Sequence, residues 1–250
     1  MKITHIEATT ISDAWFQAVY NVLDFGRRFV IDKGSYAGQT RLEYDYFTCH
    51  ILKPMMPDIL PVMPAGCSIP APVDHDYVYG GPAYKRSYIE YIMTAEKQEN
   101  EQYTYGERLR KYQIGWENIH YEDGDFIQSN PIYLDQVQHV IDTYKKYGHR
   151  NNQMVLQVAQ PDDLLLNDPP CLRHIDTRIQ DDTLHFFIYF RSWDLWGGLP
   201  ANLAGIQFLK EYMATEIGVK DGSMIIESKG LHLYGYAEHL AQIRCMKGYK

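Results

Sequence analysis

Apolar residues return along this chain at two spacings. Over the stretch ending at Phe25 they recur every three or four positions, with Trp15, Val19, Val22 and Leu23 on one face. That spacing predicts an amphipathic helix, capped by Thr10 or Ser12 and ended by Gly26-Arg27-Arg28. Asp135–Tyr147 repeats the pattern with an aspartate in its first turn and lysines in its last, and Gly148 stops it. Tyr84–Ala95 and Tyr105–Tyr112 also have helical spacing. Leu203–Ile217 is apolar on most sides, which predicts a helix at the centre of the molecule. Strand-like runs cover Met1–Ala8, the segment from Phe29, Leu42–Leu52, Gln153–Val158, Arg173–Thr177, Thr183–Phe190 and Ser223–Ser228. Gln180-Asp181-Asp182 reads as the turn of a hairpin between two of them. Pro54–Pro82 carries most of the prolines with little periodicity, so it predicts an irregular excursion inside one domain spanning 1–250.

One junction stands apart. The apolar run Leu184–Phe190 delivers the chain to Arg191, Ser192 and Asp194. Gly197, Gly198 and Pro200 then turn it into a helix expected to open with Ala201-Asn202-Leu203. Glycine lets backbone approach a ligand closely, and a helix start offers free N–H groups. Ionic groups beside a buried strand need partners or a ligand.

The run Arg191-Ser192-x-Asp194-x-x-x-Gly198-x-Pro200-x-Asn202 resembles the nucleotide-site signature of the thymidylate synthases and pyrimidine nucleotide hydroxymethylases. Upstream, Pro169-Pro170-Cys171-Leu172 resembles the family's Pro-Cys nucleophile, twenty residues before the arginine. Downstream, His232-Leu233-Tyr234 resembles its His-x-Tyr sugar-binding element. The three motifs keep the family order and spacing over roughly residues 84–240. The resemblance is closest to the short archaeal-type thymidylate synthases.

The resemblance implies an α/β (α+β) fold, a mixed sheet flanked by helices, with sheets back to back in a homodimer. It implies that Arg191 and Ser192 grip phosphate, Gly198 lies beside the pyrimidine, Asn202 reads the base, and His232 and Tyr234 bind the sugar. Asp194 would bind the pterin of 5,10-methylenetetrahydrofolate or a modified archaeal-type folate, with Trp193 and Trp196 either as stacking surface or packed in the core. Glu90 is the best match to the glutamate that organises water and protons at the pyrimidine O4. A family loop that closes on phosphate leaves Arg28, Lys33 and Arg41 as alternatives. Of the arginine pair that reaches the partner's phosphate, only Arg150 is present, followed by Asn151 and Asn152. Two further departures are Phe190, where the family has glutamine, and a chain that stops within about sixteen residues of Tyr234.

The chemistry of the residues agrees with this. Carbon 5 of uracil is a poor nucleophile until a thiolate adds at carbon 6. Cys171 is the candidate thiolate, with Arg191, and further Arg173 and His174, as the positive charge expected to lower its pKa. The amide of Asn202 matches the N3–H and O4 pair of uracil. The resemblance to the archaeal-type thymidylate synthases implies methylation of dUMP to dTMP. Hydroxymethylation by the same cysteine, and a nucleotide-binding homologue without turnover, are the alternatives.

Bulk properties narrow the field. A net charge of −8 disfavours a binder of nucleic-acid backbones. Cys49, Cys67, Cys171 and Cys245 have neither metal-type spacing nor the density of a disulfide scaffold, so no metal is expected. No signal peptide or long apolar run is evident, which predicts a cytoplasmic protein without a membrane partner.

Overall fold

The computed structural model describes residues 1–32, 36–120 and 127–248. The chain begins with β1 (Ile3–Ala8), α1 (Ile11–Phe25), β2 (Arg27–Val30), β3 (Thr40–Glu43) and β4 (Tyr46–Ile51). Three short helices follow, α2 (His75–Tyr79), α3 (Tyr88–Met93) and α4 (Tyr105–Arg110). Next come β5 (Tyr112–His120), β6 (Ile127–Leu134), α5 (Gln136–Tyr147) and β7 (Val155–Gln157). The last part holds β8 (Leu172–Gln180), β9 (Thr183–Phe190), β10 (Trp193–Asp194), α6 (Gly198–Ile217), β11 (Lys220–Ser228), β12 (Leu231–Tyr234) and α7 (Gly235–Arg244).

The architecture is mixed α/β, as expected. A six-stranded sheet runs β1-β4-β11-β9-β8-β7, and β1–β4 and β11–β9 are its parallel pairs. A four-stranded sheet runs β10-β12-β3-β2, and β5 and β6 form a two-stranded sheet. Along β9, Leu184, Phe186, Ile188 and Phe190 enter the core while His185, Phe187 and Tyr189 stand half-exposed on the other face. That is the period of two of a pleated strand.

Local chemistry sets the element ends. Thr10 accepts the Asp13 N–H at 3.1 Å to start α1, and Asp135 accepts the Gln138 N–H at 2.9 Å to start α5. Asp181 and Asp182 both have positive φ, 51° and 53°, so the β8–β9 hairpin closes on two left-handed residues whose twist suits the strands. Helix α6 is the central one: Leu203, Ile206, Leu209 and Met213 are fully buried, each worth about 1.5–3 kcal/mol of transfer free energy. Its buried Lys210 is neutralised by Asp221 at 2.8 Å.

Several expectations need correction. The alternating run 42–52 is two strands in two sheets, because Tyr44 turns inward and its hydroxyl donates to the Ala18 carbonyl at 2.7 Å. The helix expected over 84–95 is only Tyr88–Met93, capped by Ser87. Helix α6 starts at Gly198, four residues before Asn202. The C-terminal stretch, to which periodicity assigned no element, forms α7, which buries Ala237 and Ala241. Periodicity assigned no element to the β5–β6 hairpin.

Candidate active site

Segments from five parts of the chain meet at a cavity of about 350 Å³. The β8–β9 hairpin supplies its floor. The Arg191 N–H donates to the Cys171 carbonyl at 2.9 Å, so thiol and guanidinium sit on one rung of the ladder. The Pro-rich passage before Cys171 is tied down by a 3-10 turn at Pro161–Leu165, whose buried Asp163 takes a 2.7 Å ion pair from Arg108 of α4. The second wall is the start of α6. Asp194 accepts backbone N–H bonds from Trp196, Gly197 and Gly198 at 3.1, 3.1 and 2.8 Å, anchoring the helix N-terminus. The third wall is β12, where His232 lies opposite Asp194 in register, with Arg41 of β3 opposite Tyr234.

Of the residues expected from sequence, Cys171, Arg191, Ser192, Asp194, Gly198, Asn202, His232 and Tyr234 all line this cavity. Arg41 lines it too, held by Glu43 at 2.7 Å. Arg28 does not: its guanidinium makes a bidentate pair with Glu238 at 2.7 and 2.8 Å. Lys33 lies outside the described residues. Arg150 is exposed and away from this chain's cavity.

Glu90 is also away from the cavity. Its carboxylate accepts from the Ser87 N–H at 2.7 Å and the Ser87 hydroxyl at 2.9 Å, completing a capping box at the start of α3. Those bonds hold its pKa below the ordinary value. The side chain that α3 turns inward is Tyr88, two residues earlier and nearly buried, whose hydroxyl accepts from Asn202 Nδ2 at 2.6 Å. On the other side of the same amide, the Trp193 indole N–H donates to Asn202 Oδ1 at 2.7 Å. Because α6 begins at Gly198, Asn202 lies in its second turn and is not a helix cap.

The electrostatics differ from expectation at the thiol. Burial raises the Cys171 pKa, and Asp168 adds to it, against the lowering by Arg191 and Arg173. The net shift is upward, not downward. Arg191 is shared among the Pro169 and Pro170 carbonyls and the Asp168 carboxylate at 3.5 Å, which dilutes its effect on sulfur. At Asp194, burial outweighs the three N–H bonds and its pKa is raised. His232 is buried, and desolvation is the main reason its pKa falls to about 4, so the ring is neutral. Nδ1 faces the Gly230 carbonyl at 2.8 Å and must carry the proton. Among the described residues Nε2 finds no partner, and it is a buried acceptor in a residue that lines the cavity.

Tyr105 is a site residue that the sequence marked only as the start of a helical stretch. Its hydroxyl accepts the Leu172 N–H at 3.3 Å, beside Cys171. Helix α4 reaches this position because Gly106 packs against α3: a Cβ there would stand 1.9 Å from the Thr94 carbonyl oxygen. Tyr105 and Asn202 also border a second cavity of about 560 Å³, lined by Tyr77, Tyr84, Tyr88 and Tyr91. No group of three or more metal-ligating side chains occurs among the described residues, and no helix among them is long and apolar enough to cross a membrane.

Comparison with known proteins agrees with this geometry. Residues 36–246 match the thymidylate synthase family. A protein of Methanosarcina barkeri named "Putative thymidylate synthase" is 26% identical over 231 residues, covering 92% of this chain and 89% of that relative. Proteins of the same name from Methanococcoides burtonii and Methanothermobacter thermautotrophicus are 27% identical over 231 residues and 25% identical over 230. They cover 92% of this chain in both cases, and 89% and 92% of the relatives. With the family match spanning most of its length and the Cys, Arg-Ser-x-Asp and His-x-Tyr motifs converging on one cavity, this chain belongs to the thymidylate synthase family.

Proposed function

We propose that this chain methylates dUMP at carbon 5 to give dTMP, through a covalent adduct of Cys171 at carbon 6. The observation that carries the reading is the convergence of Cys171, Arg191, Asn202 and the Nε2 acceptor of His232 on one cavity. The Cys171 thiolate adds to carbon 6, and the ring electrons move through carbon 5 toward O4. Carbon 5 then bonds the one-carbon unit and loses its proton, the unit's bond to the folate nitrogen breaks, and hydride from the same folate converts it to methyl as the S–C6 bond breaks and returns Cys171 as thiolate. Arg191 lowers the cost of ionising a thiol that burial otherwise keeps protonated. Arg191, Ser192 and Arg41 hold the phosphate by charge-assisted bonds. A neutral His232 accepts from a sugar hydroxyl, which a protonated ring could not do.

Methylenetetrahydrofolate, when bound, supplies the one-carbon unit and the hydride. The flat tyrosine faces of the second cavity, which meets the first at Tyr105 and Asn202, suit a pterin ring placed against the pyrimidine. Asp194 reaches that ring only with the lone pairs left over from anchoring α6. A homodimer would cover the half-exposed face of the six-stranded sheet around Phe187, Tyr189 and Ile225, and would bring Arg150 to the partner's phosphate.

The test is tritium release from dUMP labelled at carbon 5, with methylenetetrahydrofolate, followed by product mass. The wild type should release tritium and yield a methyl product, and Cys171→Ala should do neither. Covalent capture of 5-fluoro-dUMP that persists in Cys171→Ala would overturn the assignment. A hydroxymethyl product would replace methylation with the alternative chemistry.

A further inference from the structure

The Asn202 amide is held from both sides. Trp193 donates its indole N–H to Oδ1 at 2.7 Å, and Nδ2 donates to the Tyr88 hydroxyl at 2.6 Å. An indole nitrogen has a hydrogen and no free lone pair, so it tolerates only the oxygen end of an amide. Turning that amide by half a revolution would set N–H against N–H. Trp193 cannot swing aside, since it is 2% exposed and its ring stacks on Phe190 at 3.9 Å and 7°. Tyr88 opposite is a hydroxyl that either donates or accepts, so it supports whichever orientation Trp193 selects. An amide offers two acceptor lone pairs and two N–H donors. One of each is used here, leaving one acceptor and one donor on a half-buried side chain that borders both cavities.

We propose that Trp193, backed by Tyr88, is a specificity-determining positioning residue that locks the Asn202 amide in the one orientation complementary to uracil. Resting on the reading of the cavity as a pyrimidine nucleotide site, this deepens it. An unrestrained asparagine is a poor discriminator. In one orientation it pairs with N3–H and O4 of uracil, and after a half-turn with N3 and the N4 amino group of cytosine. The choice of base therefore lies in what prevents the half-turn. In this chain that is a donor-only nitrogen fixed by stacking.

The experiment measures binding of dUMP and of dCMP to the full chain by titration calorimetry. Trp193→Phe keeps a stacking ring and removes the N–H. It should lower the preference for dUMP over dCMP by roughly 5- to 10-fold, the worth of one neutral hydrogen bond. The dCMP affinity should rise, an effect general loosening of the site would not produce. In an Asn202→Asp background there is no amide to turn, so adding Trp193→Phe should change the ratio by less than about twofold. Should the phenylalanine variant fail to fold, Trp193→benzothienylalanine preserves the bicyclic shape with sulfur in place of N–H and is held to the same expectation. An unchanged ratio, or equal weakening of both nucleotides, would overturn the lock. A wild type that binds neither nucleotide would instead remove the site reading beneath it.

Discussion

Protonating His232 inside the folded protein should cost stability in a defined pH window. The ring is 2% exposed, its Nδ1–H is committed to the Gly230 carbonyl, and Arg41 lies near enough to oppose a second charge. These causes, with burial the largest, take its pKa from the ordinary 6.5 to about 4. In the unfolded chain the ring protonates as pH falls through 6.5, while the native ring resists until about 4. Its contribution to stability is therefore complete above 6.5, shrinks between 6.5 and 4, and is gone below. A displacement of that size corresponds to about 3 kcal/mol. The assay is urea unfolding at several pH values from 7.5 to 4 for the wild type and His232→Gln. The variant should lose less stability over this range, by about 3 kcal/mol, although its stability at pH 7 is lower. His185, whose pKa is also lowered, titrates in both proteins and cancels in the comparison. Parallel pH profiles would refute the burial argument, and with it the neutral Nε2 acceptor assigned to the sugar.

Two more outcomes separate structural from chemical roles. Glu90→Gln keeps an acceptor for the Ser87 N–H, so tritium release should stay within a few-fold of wild type. A loss of several orders of magnitude would return Glu90 to the catalytic machinery. Gly106→Ala drives a methyl group toward the Thr94 and Tyr91 carbonyls, 1.9 and 2.5 Å away, and neither backbone atom can retreat cheaply. It should destabilise by roughly 1–3 kcal/mol in thermal melts and slow turnover by displacing Tyr105. An unchanged melting curve would mean α3 and α4 are not pressed together.

The sequence made the site legible where its logic is local. Cys171 and Arg191 are joined by a hairpin whose two-aspartate turn and alternating strands bring them within one position of each other by counting, and a bulge between Leu172 and His174 completes the pairing. The Gly-rich entry into α6 was equally visible, although its first turn was not, because Asp194 reaches forward to cap residues that look like loop. What stayed hidden depends on distant chain. Glu90 has the right chemical type for catalysis, but Ser87 three residues earlier claims it, and the helix phase then turns Tyr88 inward. Leu42–Leu52 alternates throughout, and nothing in that alternation reveals that Tyr44 finds Ala18 and breaks the run between two sheets. The upward shift at Cys171 was hidden too. Counting nearby arginines omits burial and the carbonyls that share Arg191.

The shared rung between Cys171 and Arg191 has a consequence for how the site tolerates change. Their spacing is fixed by main-chain geometry, so repacking the apolar side chains beneath them leaves nucleophile and cation facing each other. An insertion or deletion within 172–190, or loss of the bulge between Leu172 and His174, would part them, because a slip by one position sends alternate residues to opposite faces. Substitutions can accumulate through the hairpin while its length cannot vary: the reactive pair is guarded by arithmetic.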